Sequence, residues 1–189
     1  YTVTGTDANG CTDTDQILVT VNPYPVVTAG TNQTVCAGSS ITLNASGALT
    51  LVWNNGVTNG VPFSVNQSQT YTVIGNSNGC TDTAQVTVTV NPTPIVSAGQ
   101  NQSVCAGTSV TLNASGANTY SWNNNVQNGV AFTPSATQSY TVTGIDANGC
   151  TNTAQVTVTV NSLPTVSAGQ NQAVCAGTSV TLSGSGANT

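Results

Sequence analysis

YTVIGNSNGCTDTAQVTVTVN, residues 71–91, decides how this chain is read, because the same stretch occurs three times. It appears as YTVTGTDANGCTDTDQILVTVN at 1–22 and as YTVTGIDANGCTNTAQVTVTVN at 140–161. Each copy reads as a β-hairpin: one arm alternates from the Tyr, Asn-Gly makes the turn, and the other arm alternates Val and Thr. Asn-Gly is the strongest short hairpin signal, since both residues tolerate the positive φ of a type I′ turn. Val86, Val88 and Val90 are expected to face a core while Thr87 and Thr89 face water. The hairpin is therefore the closing pair of strands of a repeated all-β module.

Working outward, the spacing between copies is 70 residues from Tyr1 to Tyr71 and 69 from Tyr71 to Tyr140. That is long enough for a small sandwich with its own core. Residues 97–112 (SAGQNQSVCAGTSVTL) return at 167–182 with one change, Ser103 to Ala173. This divides the chain into the closing hairpin of a truncated module (1–22), complete modules at 23–91 and 92–161, and the opening strands of another truncated module (162–189). Pro23 and Pro25, Pro92 and Pro94, and Pro164 mark the joints, where proline stiffens the connection and stops the preceding strand. The chain reads as a window onto a longer polypeptide with more copies.

Within a module the expected order starts with a first strand (Val26–Ala29; Ile95–Ala98) that continues through Gln-Thr/Ser-Val-Cys to a turn at Ala-Gly. A second strand (Ser40–Ala45; Ser109–Ala114) follows. The third carries Trp53 in LVWNN or Trp122 in YSWNN. After a tight turn comes a strand near Val61–Val65 or Val130–Pro134, and then the Tyr hairpin. About seven short strands with regular turn signals and a Trp on the third predict an immunoglobulin-like β-sandwich. The tryptophans read as core; a sugar-stacking role for them is the alternative.

The charge inventory excludes much. There is no Lys, Arg or His, and the five acids are all Asp: Asp7, Asp13, Asp15, Asp82 and Asp146. About a quarter of an ordinary soluble chain is charged; here Thr, Ser, Asn, Gln and Gly take that place. Without a cation there is no grip on nucleic-acid phosphates or anionic lipid. No run of eighteen apolar residues spans a membrane. Nucleophilic catalysis lacks a His, Lys or Glu base, and the Asp residues form no close pair. The chain reads as no enzyme, with no cofactor and no metal. The D-A-N-G turns at 7–10 and 146–149 offer one carboxylate each, which suits an Asp capping its own turn better than calcium. Rows of outward Thr (Thr87, Thr89, Thr157, Thr159) are too short and twisted for ice binding.

Six cysteines hold two places per repeat: Cys11, Cys80 and Cys150 after Asn-Gly, and Cys36, Cys105 and Cys175 in V-C-A-G. With no Cys-x-x-Cys and no His, zinc is disfavoured and disulfides in an oxidising setting are expected. Candidate glycan acceptors are the sequons at Asn32, Asn44, Asn66, Asn101 and Asn113.

V-C-A-G-T-S-V-T-L, then Y-S-W, then Y-T-V-T-G-x-D-A-N-G-C-T, closing on Q-V-T-V-T-V-N, resembles the PKD-like, immunoglobulin-like tandem repeats of giant surface adhesins. Those adhesins belong to gliding, type IX-secreting, Bacteroidetes-type bacteria. The likeness runs the length of the chain. It implies secretion, extracellular display at the cell surface, and work as an adhesin shaft or filament, with no catalysis. It also makes Thr83, in Asp82-Thr83-Ala84, a candidate O-glycan acceptor. The chain departs from its own pattern at Asn152, where the earlier hairpins carry Asp, and at Asn76-Ser77, which replace Asp-Ala. A calcium site common to the repeats would lose carboxylates there.

In an immunoglobulin-like sandwich the first inter-strand turn and the final hairpin turn lie at opposite ends, roughly 25–30 Å apart for strands of seven to ten residues. A disulfide needs Cα atoms within about 7 Å. Modules stacked head to tail would instead join Cys36 to Cys150, leaving Cys11, Cys80, Cys105 and Cys175 to modules outside the window. Pairing inside each module, Cys36–Cys80 and Cys105–Cys150, is the alternative. The staple predicts a stiff, extension-resistant rod, without trypsin sites, whose partners are neighbouring modules and, in a filament, identical chains. A surface or glycan ligand would be met at a tip outside the window. The rival reading is a carbohydrate- or protein-binding module acting through loops near Trp53 and Trp122.

Overall fold

A computed structural model describes residues 1–187. It is all-β, with fourteen strands and no helix among the described residues. The chain divides into two compact units, Tyr1–Pro92 and Thr93 onward. The first opens with a hairpin, β1 (Thr2–Thr6) and β2 (Thr12–Gln16). Six strands then build a sandwich: β3 (Gln33–Cys36), β4 (Ser40–Ile41), β5 (Thr50–Trp53), β6 (Phe63–Ser64), β7 (Gln69–Ser77) and β8 (Cys80–Asn91). One sheet has the order β3-β8-β7-β5 and the other pairs β4 with β6. The second unit repeats this with β9 (Gln102–Cys105), β10 (Val110–Thr111), β11 (Thr119–Trp122), β12 (Ala131–Phe132), β13 (Gln138–Ile145) and β14 (Thr151–Asn161). Its sheets are β11-β13-β14-β9 and β10-β12. These are tandem immunoglobulin-like modules.

The first strand of each module differs from its expected continuous form. Thr28 first makes an isolated antiparallel bridge to Ser46; the chain then continues, and β3 joins the large sheet parallel to β8, from Gln33↔Val88 to Cys36↔Asn91. Gly30, at φ +80°, lies between the two halves, and Asn32 Oδ1 accepts the Thr87 N–H at 2.8 Å where β3 arrives. Split in this way, one short segment is tied first to Ser46 and then to β8.

The second strand is also shorter than expected: the ladder covers Ser40–Ile41 rather than Ser40–Ala45. Beyond it, a side chain substitutes for a strand. Asn59 Oδ1 accepts the Ala45 N–H at 2.7 Å, its Nδ2 donates to Ala45 C=O at 3.2 Å, and the Gly60 N–H donates to Leu43 C=O at 2.9 Å. The backbone groups are satisfied, as buried ones must be, without lengthening β6.

Side-chain parity follows the sequence. Val73, Val86 and Val88 are fully buried with Leu43, and Val142, Val156 and Val158 with Leu112. Val90 is partly buried against the first core. Each buried aliphatic side chain stabilises its module by about 1.5–3 kcal/mol. Phe63 meets Tyr71 edge-to-face at 5.5 Å, and Phe132 meets Tyr140 at 5.2 Å. Val3 is 66 % exposed although its repeat counterparts Val73 and Val142 are 0 % exposed, so the pattern in 1–22 encodes a core that this hairpin alone does not close.

Two glycine positions are fixed by close approach. A Cβ on Gly116 (φ +93°) would stand 1.8 Å from Ile95 O, beside the Ser97–Ser115 bridge. On Gly144 it would stand 2.6 Å from Val96 Cγ2 and 2.8 Å from Ala117 Cβ.

The hairpin turns are not all alike, which corrects the expectation of a type I′ turn in every copy. Asn78 (φ +53°) and Gly79 (φ +85°) make that turn between Ser77 and Cys80. In the other two copies only the glycine, Gly10 or Gly149, has positive φ. There the loop is a four-residue turn closed by Gly10 N–H to Asp7 C=O (3.1 Å) or Gly149 N–H to Asp146 C=O (3.2 Å). One inserted residue is the cause: Tyr to Cys is ten positions in these copies and nine in the middle one.

Candidate functional site

The features repeated at fixed places in each module are the two cysteines and the Trp–Asn pair. Cys36 is the last residue of β3 and stands opposite Asn91, the last residue of β8. The turn after it is tied down by Ala37 N–H to Asn91 C=O at 2.8 Å and Gly38 N–H to Val65 C=O at 2.8 Å. Cys105 repeats this against Asn161, with Ala106 N–H on Asn161 C=O at 2.8 Å. The V-C-A-G cysteine therefore sits at the end by which the chain leaves the module.

The N-G-C cysteine sits at the opposite end. Cys80 opens β8; its Sγ lies 3.6 Å from Asn22 C=O, and Asn22 Nδ2 donates to Asn78 C=O at 3.4 Å. Two residues on, Asp82 Oδ2 accepts the Val27 N–H at 3.0 Å. Hydrogen bonds from Val27 first and Thr83 second hold the Asp82 carboxyl below its ordinary value. In the second module Asn152 occupies the Asp82 position and instead donates Nδ2 to Pro94 C=O at 3.0 Å. Either residue fastens the incoming chain to the start of the last strand. Cys36 and Cys80 are thus separated by the length of β8.

Cys36 and Cys150 are disulfide-bonded cysteines. Cys11, Cys80, Cys105 and Cys175 carry free thiols. Cys150 is fully buried, and its N–H donates to Asp146 Oδ1 at 2.8 Å. Asp146 Oδ1 also accepts from Asn148 N–H at 2.8 Å, and Asp7 does the same for Asn9 and Cys11. These carboxylates are engaged in capping their own turns. The Asp7 carboxyl is held low, first by the Cys11 N–H and then by that of Asn9. Among the described residues no group of three or more His, Cys, Asp or Glu gathers as metal ligands.

Trp53 and Trp122 are buried, at 5 % and 7 % exposure. Each indole N–H donates to an asparagine six residues on: Asn59 Oδ1 at 3.0 Å and Asn128 Oδ1 at 3.1 Å. The indole faces are core and offer no stacking platform. The Asn partner was the functional position that sequence reasoning missed. Its signal is Asn-Gly recurring at 59–60 and 128–129, six residues beyond each Trp. The candidate glycan acceptors Thr83, Asn32, Asn44, Asn66, Asn101 and Asn113 are all exposed. Asn101 Oδ1, like that of Asn32, accepts a strand N–H (Thr157, 2.8 Å).

No protein-family profile matches the chain, and no curated protein matches it. Solved structures do resemble it. The titin domains Z1Z2 in complex with telethonin match at TM-score 0.33 and 14 % identity, over 76 % of this chain and 100 % of that one. The insect immune protein hemolin matches at TM-score 0.41 and 15 % identity, over 72 % and 47 %. Extracellular domains 3–5 of Drosophila OTK match at TM-score 0.34 and 16 % identity, over 82 % and 68 %.

Proposed function

We propose that this chain is a stretch of an extracellular shaft, built from tandem immunoglobulin-like modules whose joints are stapled by disulfides. Its role is length, stiffness and protease resistance for a secreted adhesin or filament at a cell surface, with no chemistry of its own. The observation that carries this is the placement of the two cysteines at opposite ends of every module, one beside the exit residue and one beside the incoming linker. Such placement suits a bond across a joint. In this chain the staple joins Cys36 of one module to Cys150 of the next, and the oxidised state of both supports it. The free thiols at Cys80 and Cys105 await partners in modules before and after these two, and those at Cys11 and Cys175 follow the same rule further out.

Disulfides persist in oxidising compartments, which accords with an extracellular site. The resemblance to the repeats of gliding-bacterial adhesins supports the same setting. A surface with no cation and few anions lets identical shafts lie side by side without strong repulsion. The test is peptide mapping of the unreduced chain after digestion at Asp and at aromatic residues. A linked pair holding Cys36 and Cys150 is the expected product. A linked pair holding Cys36 and Cys80 would refute the staple.

A further inference from the structure

Six Asn-Gly dipeptides stud the chain, at Asn9, Asn55, Asn59, Asn78, Asn128 and Asn148. Asparagine is a thermolabile residue, and before glycine its decay is intramolecular. The glycine amide nitrogen attacks the asparagine Cγ, the Cγ–Nδ2 bond breaks, and ammonia leaves with the proton the glycine gives up. Water then opens the resulting cyclic imide at one carbonyl or the other, giving aspartate or isoaspartate. No oxidant or reductant takes part. The step needs a glycine nitrogen free to lose its proton and a carboxamide free to swing over it.

The structure withholds one or both conditions from five of the six pairs. Gly60 N–H is bound to Leu43 C=O and Gly129 N–H to Leu112 C=O, each at 2.9 Å. The carboxamides of Asn59 and Asn128 are themselves clamped on Ala45 and Trp53, and on Ala114 and Trp122. Gly79 N–H is held by Asn76 Oδ1 at 3.2 Å, Gly10 N–H by Asp7 C=O at 3.1 Å and Gly149 N–H by Asp146 C=O at 3.2 Å. Gly56 is the exception: among the described residues its N–H has no hydrogen-bond partner, nor has the Asn55 side chain. Both residues are exposed, at the tip of the turn after β5. The second module has Asn124-Asn125-Val126 there, so no glycine follows.

We propose that Asn55 is a site of spontaneous self-modification, converting to aspartate and isoaspartate while the other five Asn-Gly pairs persist. The product adds a carboxylate to a chain that has only five. In the isoaspartate form it also inserts an extra backbone methylene into the turn that Val57 N–H closes on Asn54 C=O at 3.3 Å. One module of the two is thereby marked by age, a signal that a long-lived extracellular chain would accumulate.

The experiment is incubation of the folded chain at mildly alkaline pH, with timed peptide mapping for aspartate and isoaspartate at all six sites. Each engaged group, the glycine N–H or the asparagine carboxamide, slows the attack on the order of fivefold. Asn55 is expected to react roughly fivefold faster than Asn9, Asn78 and Asn148, and roughly twenty-five-fold faster than Asn59 and Asn128. In concentrated urea the six rates are expected to converge. Equal rates at Asn55 and Asn59 in the folded chain would overturn the proposal, and so would a preference for Asn55 that survives in urea. Asn55→Gln should remove the early acidic species from the ion-exchange profile; its persistence would also count against the assignment.

Discussion

Replacing Asn59 by alanine is expected to remove about half the stability of the module that contains it. Its Oδ1 is the acceptor for both the Ala45 N–H and the Trp53 indole N–H, at 2.7 and 3.0 Å, and both residues are buried. Asn59→Ala leaves two donors without partners, each costing about 1–3 kcal/mol, or about 2–6 kcal/mol together. A domain of this size is stable by roughly 3.5–10 kcal/mol. Urea unfolding followed by tryptophan emission, in a Trp122→Phe background so that Trp53 alone reports, gives the measurement. With a slope near 1–2 kcal/mol per M, the midpoint should fall by about 1–6 M. Trp53→Phe closes a double-mutant cycle, and the pair should show a coupling of about 0.5–3 kcal/mol. A loss below about 0.5 kcal/mol for Asn59→Ala, typical of an uninvolved surface position, would refute the idea that this side chain replaces a strand.

Gly144→Ala forces a methyl to within 2.6 Å of Val96 Cγ2, so overpacking should cost about 1–3 kcal/mol in the second module, read as a lowered urea midpoint. The Asp82 carboxyl is held below its ordinary value of 3.8, so the stability it lends is present above that pH and lost as pH falls through the lower folded value. Acid titration of stability should therefore flatten in Asp82→Asn, and an unchanged acid limb would count against the Val27 contact. Thiol titration of the denatured, unreduced chain should find the four free cysteines, and Cys36→Ser should raise the count by one as Cys150 is released.

The hairpin and core were legible because side-chain parity is local: Val86 and Val88 point inward for the same reason that Thr89 points out. The two indoles were legible as core on similar grounds. Three features were not. The split first strand depends on β3 finding β8, more than fifty residues later, with only Gly30 to mark the split. The brevity of β4 depends on Asn59 reaching back to Ala45, a side chain acting as a strand, which no period of two can reveal. The turn types depended on a single inserted residue. The signal for it in the sequence is the Tyr-to-Cys spacing, ten positions in the outer copies and nine in the middle one.

The parallel pairing of β3 with β8 has a mechanical consequence. The chain enters a module near Val27, at the Cys80 end of β8, and leaves at Asn91, so tension between entrance and exit runs along the strands rather than across them. The rungs from Gln33↔Val88 to Cys36↔Asn91 are then loaded in shear and must yield together, whereas a hairpin pulled from its open end unzips one rung at a time. Four residue pairs act as a small lap joint, clamping the module's first segment to its last strand. A substitution that weakened only that joint, such as proline at Thr34, would be expected to lower the unfolding force far more than it lowers equilibrium stability.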